Sequence, residues 1–301
     1  MDSVLTSVLL PVALAVVMYG LGLALTTADF ARVRQQPKAA VIALALQLLV
    51  LPAVAFGLIE LFGLDPLAAV GMMLLAASPG GTTANLFSHL FRGDVALNIT
   101  LTAINSVVAA FTLPLVVGLS IAWFEPSGID DEVGLQFGKV LQVFAIVLVP
   151  VLLGMLTRRS AEGFADRMDR PVRILSVFVL TAVIVGTIVS ERDNVVDYLG
   201  ELGPIAVAFC LISLGVGYVV PRALGVAHGQ AIASGFEIGV HNGTLAIAVA
   251  ISVLDSVALA VPAAVYSVVM FPLAALVGWL ITRVAPAGPG SPEPADAVAK
   301  G

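Results

Sequence analysis

The chain has 301 residues, 59% of them hydrophobic and 11% charged, with a mean hydropathy of +1.07. Soluble domains carry about one quarter charged residues, so this composition excludes a soluble enzyme or nucleic-acid-binding module and points to an integral membrane protein. The formal net charge of −6 adds little, because acidic residues weigh weakly in membrane orientation.

Apolar stretches of about 18 residues or more recur along the whole length, each able to cross roughly 30 Å of hydrocarbon as a helix. Alternating strand patterns are absent, which sets aside a barrel. Nine spans are predicted, at about 4–26, 39–61, 67–90, 95–123, 136–157, 172–190, 204–221, 229–253 and 258–283. The first outruns a signal-peptide core of about 7–15 residues and has no Lys or Arg before Arg32, so it is expected to be retained. The one cysteine, Cys210, falls inside a span, which leaves no intrachain disulfide and no cysteine-based metal site. Residues 1–284 read as a single transmembrane domain and 285–301, rich in Pro, Gly and Ala, as a disordered cytoplasmic tail.

The basic residues set the expected orientation. Arg32, Arg34, Lys38, Arg92, Arg158, Arg159, Arg167, Arg170, Arg173, Arg222, Arg283 and Lys300 fall on one side, leaving Lys139 and Arg192 of the 14 on the other. The N-terminus is therefore expected outside and the C-terminus in the cytoplasm of a multi-pass protein of the cell membrane.

Two spans are interrupted by polar and glycine-rich breaks. The segment SPGGTTANLFSHLFRGDVALNITLTAINSVVAAFTLPL, from Ser78, is similar to FEIGVHNGTLAIAVAISVLDSVALAVPAAVYSVVMFPL, from Phe236. Each runs from a break through an apolar half-span, an Asp and a VAL to SVV and a Pro. The basic-residue count gives the two copies opposite orientations, so the fold is expected to hold inverted repeats, the first over about 4–123 and the second over about 136–283. Inverted repeats with paired interruptions mark secondary transporters, whose sites lie where discontinuous helices meet near the midplane. Glu237 sits at the second break, where a carboxylate and unwound carbonyls converge as for a hard cation.

At these residues the chain resembles the bile acid:sodium symporter family. The resemblance runs from about Tyr19 to Pro272, on GLGLALTTADF, QLLVLP, SPGGTTANLFSHLFRGDVAL and FEIGVHNGTLAIA. It implies an all-α polytopic fold with panel and core domains, two crossing broken helices, and a start at the family's second span. It also implies two sodium sites. The first maps onto Asn85, Asn98, Thr102 and Glu237, with Ala84 where a serine is expected. The second maps onto Gln47, Glu237, the carbonyls of Ile238 and Val240, and position 241, where His241 stands in place of glutamine. Imidazole is a poor ligand for an alkali cation but takes up a proton near neutral pH. Position 241 is thus either a proton-binding stand-in for the second sodium or a neutral histidine bonded to the break. Thr82, Thr83, Asn105 and Asn242 are assigned to the substrate path.

The leading expectation is a secondary active transporter that couples sodium, with or without a proton, to symport of an organic anion such as a bile acid or small carboxylate. The alternatives are a membrane-embedded enzyme using Glu237 and His241 as an acid–base pair, and a non-transporting sensor. Expected partners are the small organic anion and membrane lipid. Nothing in the sequence calls for nucleic acid or an obligatory protein partner, and the phosphate-loop, HExxH and GxSxG motifs are missing.

Overall fold

A computed structural model describes residues 33–126, 149–168 and 195–284, with scattered positions within 15–31 and 171–178. Most of the spans expected at 4–26 and 172–190, the first part of that at 136–157, and the tail lie outside the described residues.

What is described is helical. Four helices are long and apolar enough to cross a membrane by length and composition: Pro37–Phe62, Val95–Phe124, Leu199–Ala223 and Ala258–Arg283. The first comprises α1 (Pro37–Ala45), a π-helical turn (Leu46–Val50) and α2 (Leu51–Phe62). Its widened turn has a local cause. Pro52 has no N–H to give to the carbonyl of Leu48, and just before it the ladder shifts so that Leu51 N bonds Leu46 O. Gln47 lies in this turn, 3% exposed.

The next two elements are half-length, α3 (Pro66–Ala77) and α4 (Thr82–Leu90). Asp65 starts α3 by accepting from Leu67 N and Ala68 N, with Pro66 at the first helical position. Then α5 (Val95–Phe124) is capped by Asp94, which accepts from Leu97 N. After α6 (Val195–Ala223) comes a second broken pair, α7 (His228–Gly239) and α8 (Gly243–Ser252), and α9 (Val261–Val284) ends the described chain. The breaks fall inside the spans expected at 67–90 and 229–253.

One large apolar core joins these helices, and α6 packs along both α7 and α9. The contact of α6 with α7 is close because both carry glycine there: a Cβ on Gly217 would lie 2.9 Å from Gly235 Cα and 3.1 Å from Ser234 O. Small residues admit such backbone approach in membrane interfaces. The outer surface is apolar, with Leu49, Leu61, Leu86, Leu115, Trp123 and Phe178 exposed, as suits lipid. Arg283 lies over the Trp279 ring at 4.2 Å, the aromatic and basic pairing of a membrane–water interface.

Candidate cation site

The two breaks meet. Gly80 and His241 form an antiparallel bridge, with Gly81 N donating to Val240 O at 2.7 Å and Asn242 N to Pro79 O at 2.8 Å. Each break thus supplies the backbone partner that lipid cannot give to the other. Ser78-Pro79 stops α3, since proline disfavours helix at the residue before it, and Ser78 lies extended at ψ 144°. Asn242 starts α8 by accepting from Leu245 N at 3.1 Å.

Glu237, on the last turn of α7, is fully buried beside this crossing. Thr102 Oγ1 contacts its Oε2 at 2.5 Å, Asn105 Nδ2 donates to Oε1 at 2.9 Å, and the backbone N–H of Gly80 also faces the carboxylate. Gly80 is required by this closeness, because a Cβ there would lie 2.4 Å from Glu237 Cδ and 2.5 Å from each carboxylate oxygen. Among the described residues no basic side chain pairs with Glu237. A carboxylate without a counter-charge in hydrocarbon is expensive, and either a proton or a bound cation relieves it.

The amides on α5 give their amino groups to protein acceptors. On α5, Asn98, Thr102 and Asn105 fall at i, i+4 and i+7, one buried stripe turned to α7. Asn98 Nδ2 donates to Ser88 Oγ at 2.7 Å and to Ala233 O at 2.9 Å, which leaves its Oδ1 only a 3.5 Å contact with Thr102 Oγ1. Asn105 directs its amino group at Glu237, and Asn105 Oδ1 is buried with no partner. Asn85 Oδ1, on α4, is likewise buried and unpartnered. A buried carboxylate and the two unpaired amide oxygens are donors of the kind that hard cations take. Among the described residues no three His, Cys, Asp or Glu side chains gather as for a transition metal.

The second cluster is built differently. Gln47 Nε2 donates to Ser78 O at 3.0 Å, and His241 Nδ1 contacts the same carbonyl at 3.3 Å. Gln47 Oε1 and His241 Nε2 have no partner. The imidazole stacks on Phe209, with centroids 5.4 Å apart and 11° between planes, and meets Tyr266 edge-on at 5.5 Å. It forms no ion pair with Glu237. Val240 O, one of the carbonyls matched to this site, already accepts from Gly81 N. Ile238 is buried close to Gly217.

The structure thus gathers Asn98, Thr102 and Glu237, and puts Gln47 and His241 on one carbonyl of the first break. Asn105, expected on the substrate path, faces Glu237 instead. Asn242 is at the crossing, its side chain serving as a helix cap, and Thr83 sits half-buried at the start of α4, where Thr82 is the first helical residue. No hydrogen bond joins Asn85 to Glu237. Sequence reasoning missed Ser88, which orients Asn98, and Tyr266, whose hydroxyl donates to Gly239 O at 2.8 Å. Ser88 had a signal, since it follows Asn85 by three residues on α4. Tyr266 had none beyond a polar ring in an apolar span.

Residues 11–198 match the sequence model of the sodium bile acid symporter family. The chain belongs to this family. Within curated proteins it is 27% identical over 259 residues to "Uncharacterized sodium-dependent transporter YocS" of Bacillus subtilis (strain 168), covering 85% of this chain and 77% of that protein. It is 28% identical over 281 residues to "Probable sodium/metabolite cotransporter BASS1, chloroplastic" of Arabidopsis thaliana, covering 91% of this chain and 67% of the relative. Over 181 residues it is 30% identical to "Sodium/bile acid cotransporter 4" of Mus musculus, covering 58% of this chain and 41% of the relative. The family match takes in Gln47, Asn85, Asn98, Thr102 and Asn105 but ends before Glu237. The second half of the site therefore rests on its own geometry and on the longer alignments.

Proposed function

We propose that the chain is a sodium-coupled symporter that moves an organic anion, a bile acid or a small carboxylate, across the cell membrane by alternating access. The observation that carries this reading is Glu237, fully buried at the crossing with no basic partner among the described residues, while Asn85 and Asn105 on the helices packed against α7 keep buried, unpaired amide oxygens. Sodium is the cargo that neutralises it, held by Glu237, Thr102, Asn98 and Asn85. Placement of the N-terminus outside and the C-terminus in the cytoplasm follows from the basic residues. The antiparallel meeting of the breaks supports inverted repeats, with a core domain built on the broken helices and a panel domain that it moves against.

Both α4 and α8 begin at the crossing, so two positive helix ends point into one region. That is where a substrate carboxylate is held, with Thr82, Thr83 and Asn242 at the two starts. The Gln47–His241 cluster does not suit a second sodium: the ring offers nitrogen alone, and its Nδ1 is engaged by Ser78 O. One sodium per cycle is the stoichiometry this arrangement favours. Use of Glu237 and His241 as a catalytic acid–base pair has no support, since the imidazole turns to Ser78 O and stacks on Phe209.

Purified protein in proteoliposomes, screened with radiolabelled bile acids and small carboxylates, tests the reading. An inward sodium gradient is expected to drive accumulation of at least one anion, where an equal potassium gradient does not. Uptake indifferent to the choice of cation, or none across the screen, would overturn it.

A further inference from the structure

Asn105 is the one residue of the cluster whose position the substrate-path reading does not explain. It is 1% exposed, seven residues after Asn98 and three after Thr102 on the stripe of α5 turned toward α7. Its amino group is fixed on Glu237 Oε1 at 2.9 Å. A carboxylate oxygen accepts from an amide N–H, so the orientation is set: nitrogen toward Glu237, Oδ1 away from that bond. That oxygen is buried with no donor. An acceptor left unpaired inside a protein costs about 1–3 kcal/mol. The position needs either a hydrogen-bond donor or a cation.

Chemistry decides which. An anionic substrate brings negative charge, which both the Oδ1 dipole and the neighbouring Glu237 carboxylate repel. A cation drawn to Glu237 is attracted by both. The amides of Asn98 and Asn105 also share a design, with nitrogen bound to protein acceptors and the oxygen left with a 3.5 Å contact to Thr102 Oγ1 in Asn98 and with no partner in Asn105. A pair of amides so arranged on one helix stripe beside one carboxylate is a set of oxygen ligands for a single hard ion.

We infer that Asn105 is a sodium ligand, contributing Oδ1 to the same ion as Glu237 and holding that carboxylate in place through its amino group. This rests on the proposed sodium coupling and adds a residue assigned above to the substrate path. It also gives the site a coupling role, because Asn105 ties α5 to α7 directly at the ion. Loss of its oxygen weakens sodium without any change in the anion-binding groups at the starts of α4 and α8.

The test is sodium binding itself, read on purified protein in nanodiscs without substrate. Binding of 22Na+ and the sodium-induced rise in Tm are measured for wild type, Asn105→Ala, Asn105→Asp and, as a control on the same helix, Thr112→Val. Asn105→Ala is expected to weaken sodium about tenfold or more, the scale seen when a supporting group of a metal site is lost. Asn105→Asp keeps an oxygen but replaces the amino group that donates to Glu237, so it is expected to bind sodium more tightly than Asn105→Ala, and Thr112→Val is expected to match wild type. Sodium binding by wild type with equal affinity in Asn105→Ala would overturn the inference and leave the symport reading standing. The same holds if Asn105→Ala lowers Tm by the same amount with and without sodium. Should Asn105→Ala fail to fold, Asn105→Leu, close to the amide in shape but without its oxygen, takes its place, and wild-type sodium affinity in that variant overturns it as well. Absence of sodium binding in wild type would overturn the symport reading together with the inference.

Discussion

Gly80 and Gly57 show how differently the same residue type is used. A methyl group on Gly80 would enter the Glu237 carboxylate at 2.4 Å, whereas one on Gly57 meets nothing within 4 Å. Gly80→Ala must displace either the carboxylate or the first break, and overpacking of this kind costs about 1–3 kcal/mol. The expected result is a lower Tm and a smaller sodium-induced rise in Tm. Gly57→Ala, mid-helix in α2, is expected to be neutral or to stabilise by up to about 1 kcal/mol. Equal behaviour of the two variants would show that Gly80 does not abut the ion site. At His241 the test is the shape of the sodium curve. His241→Gln puts an amide oxygen beside Gln47 and Ser78 O, so anion uptake that is hyperbolic in sodium for the wild type is expected to become sigmoidal. A sigmoidal wild-type curve would show that the imidazole does not prevent a second ion.

At the level of elements, the half-helices are held by contacts that compensate the broken ladders. Phe236, next to Glu237, stacks with Phe87 and Phe91 of the α4 region, each with centroids 5.6 Å away, and so fastens α4 to α7. Tyr266 of α9 donates to Gly239 O, the last residue of α7. Tyr266→Phe leaves that buried carbonyl without its partner, at a cost of about 1–3 kcal/mol. A lower Tm and faster hydrogen exchange at Val240 and His241 are expected, and unchanged values of both would show that the hydroxyl does not stabilise the break. Much of this architecture was legible in the sequence. Pro79, Gly80 and Gly81, then Gly239, Asn242 and Gly243, announce the breaks by residue type, and the matching segments after Ser78 and Phe236 announced that they are paired. The side-chain register between helices was not legible. Asn105 and Glu237 are 132 positions apart, and which face of α5 turns to α7 depends on how the two helices cross, a property of packing rather than of either segment. The π-helical turn at Gln47 was missed for a related reason: ALALQLLVLP is helical by composition, and the widened ladder comes from the single N–H missing at Pro52.

For the whole molecule, the membrane class followed from composition alone, and family membership agrees with it. The central claim is narrower: the Glu237 carboxylate at the crossing takes up sodium, and its neutralisation is what couples ion to anion. Glu237→Gln keeps the size of the side chain and one acceptor oxygen and removes the charge. The most direct test is 22Na+ entry into proteoliposomes with equal sodium on both sides, driven only by an inward gradient of the organic acid that scores highest in the uptake screen. In the wild type the anion gradient should drive sodium inward, and in Glu237→Gln protein of the same yield and monodispersity it should not. Sodium entry that ignores the anion gradient, or that is the same in both proteins, would contradict the account.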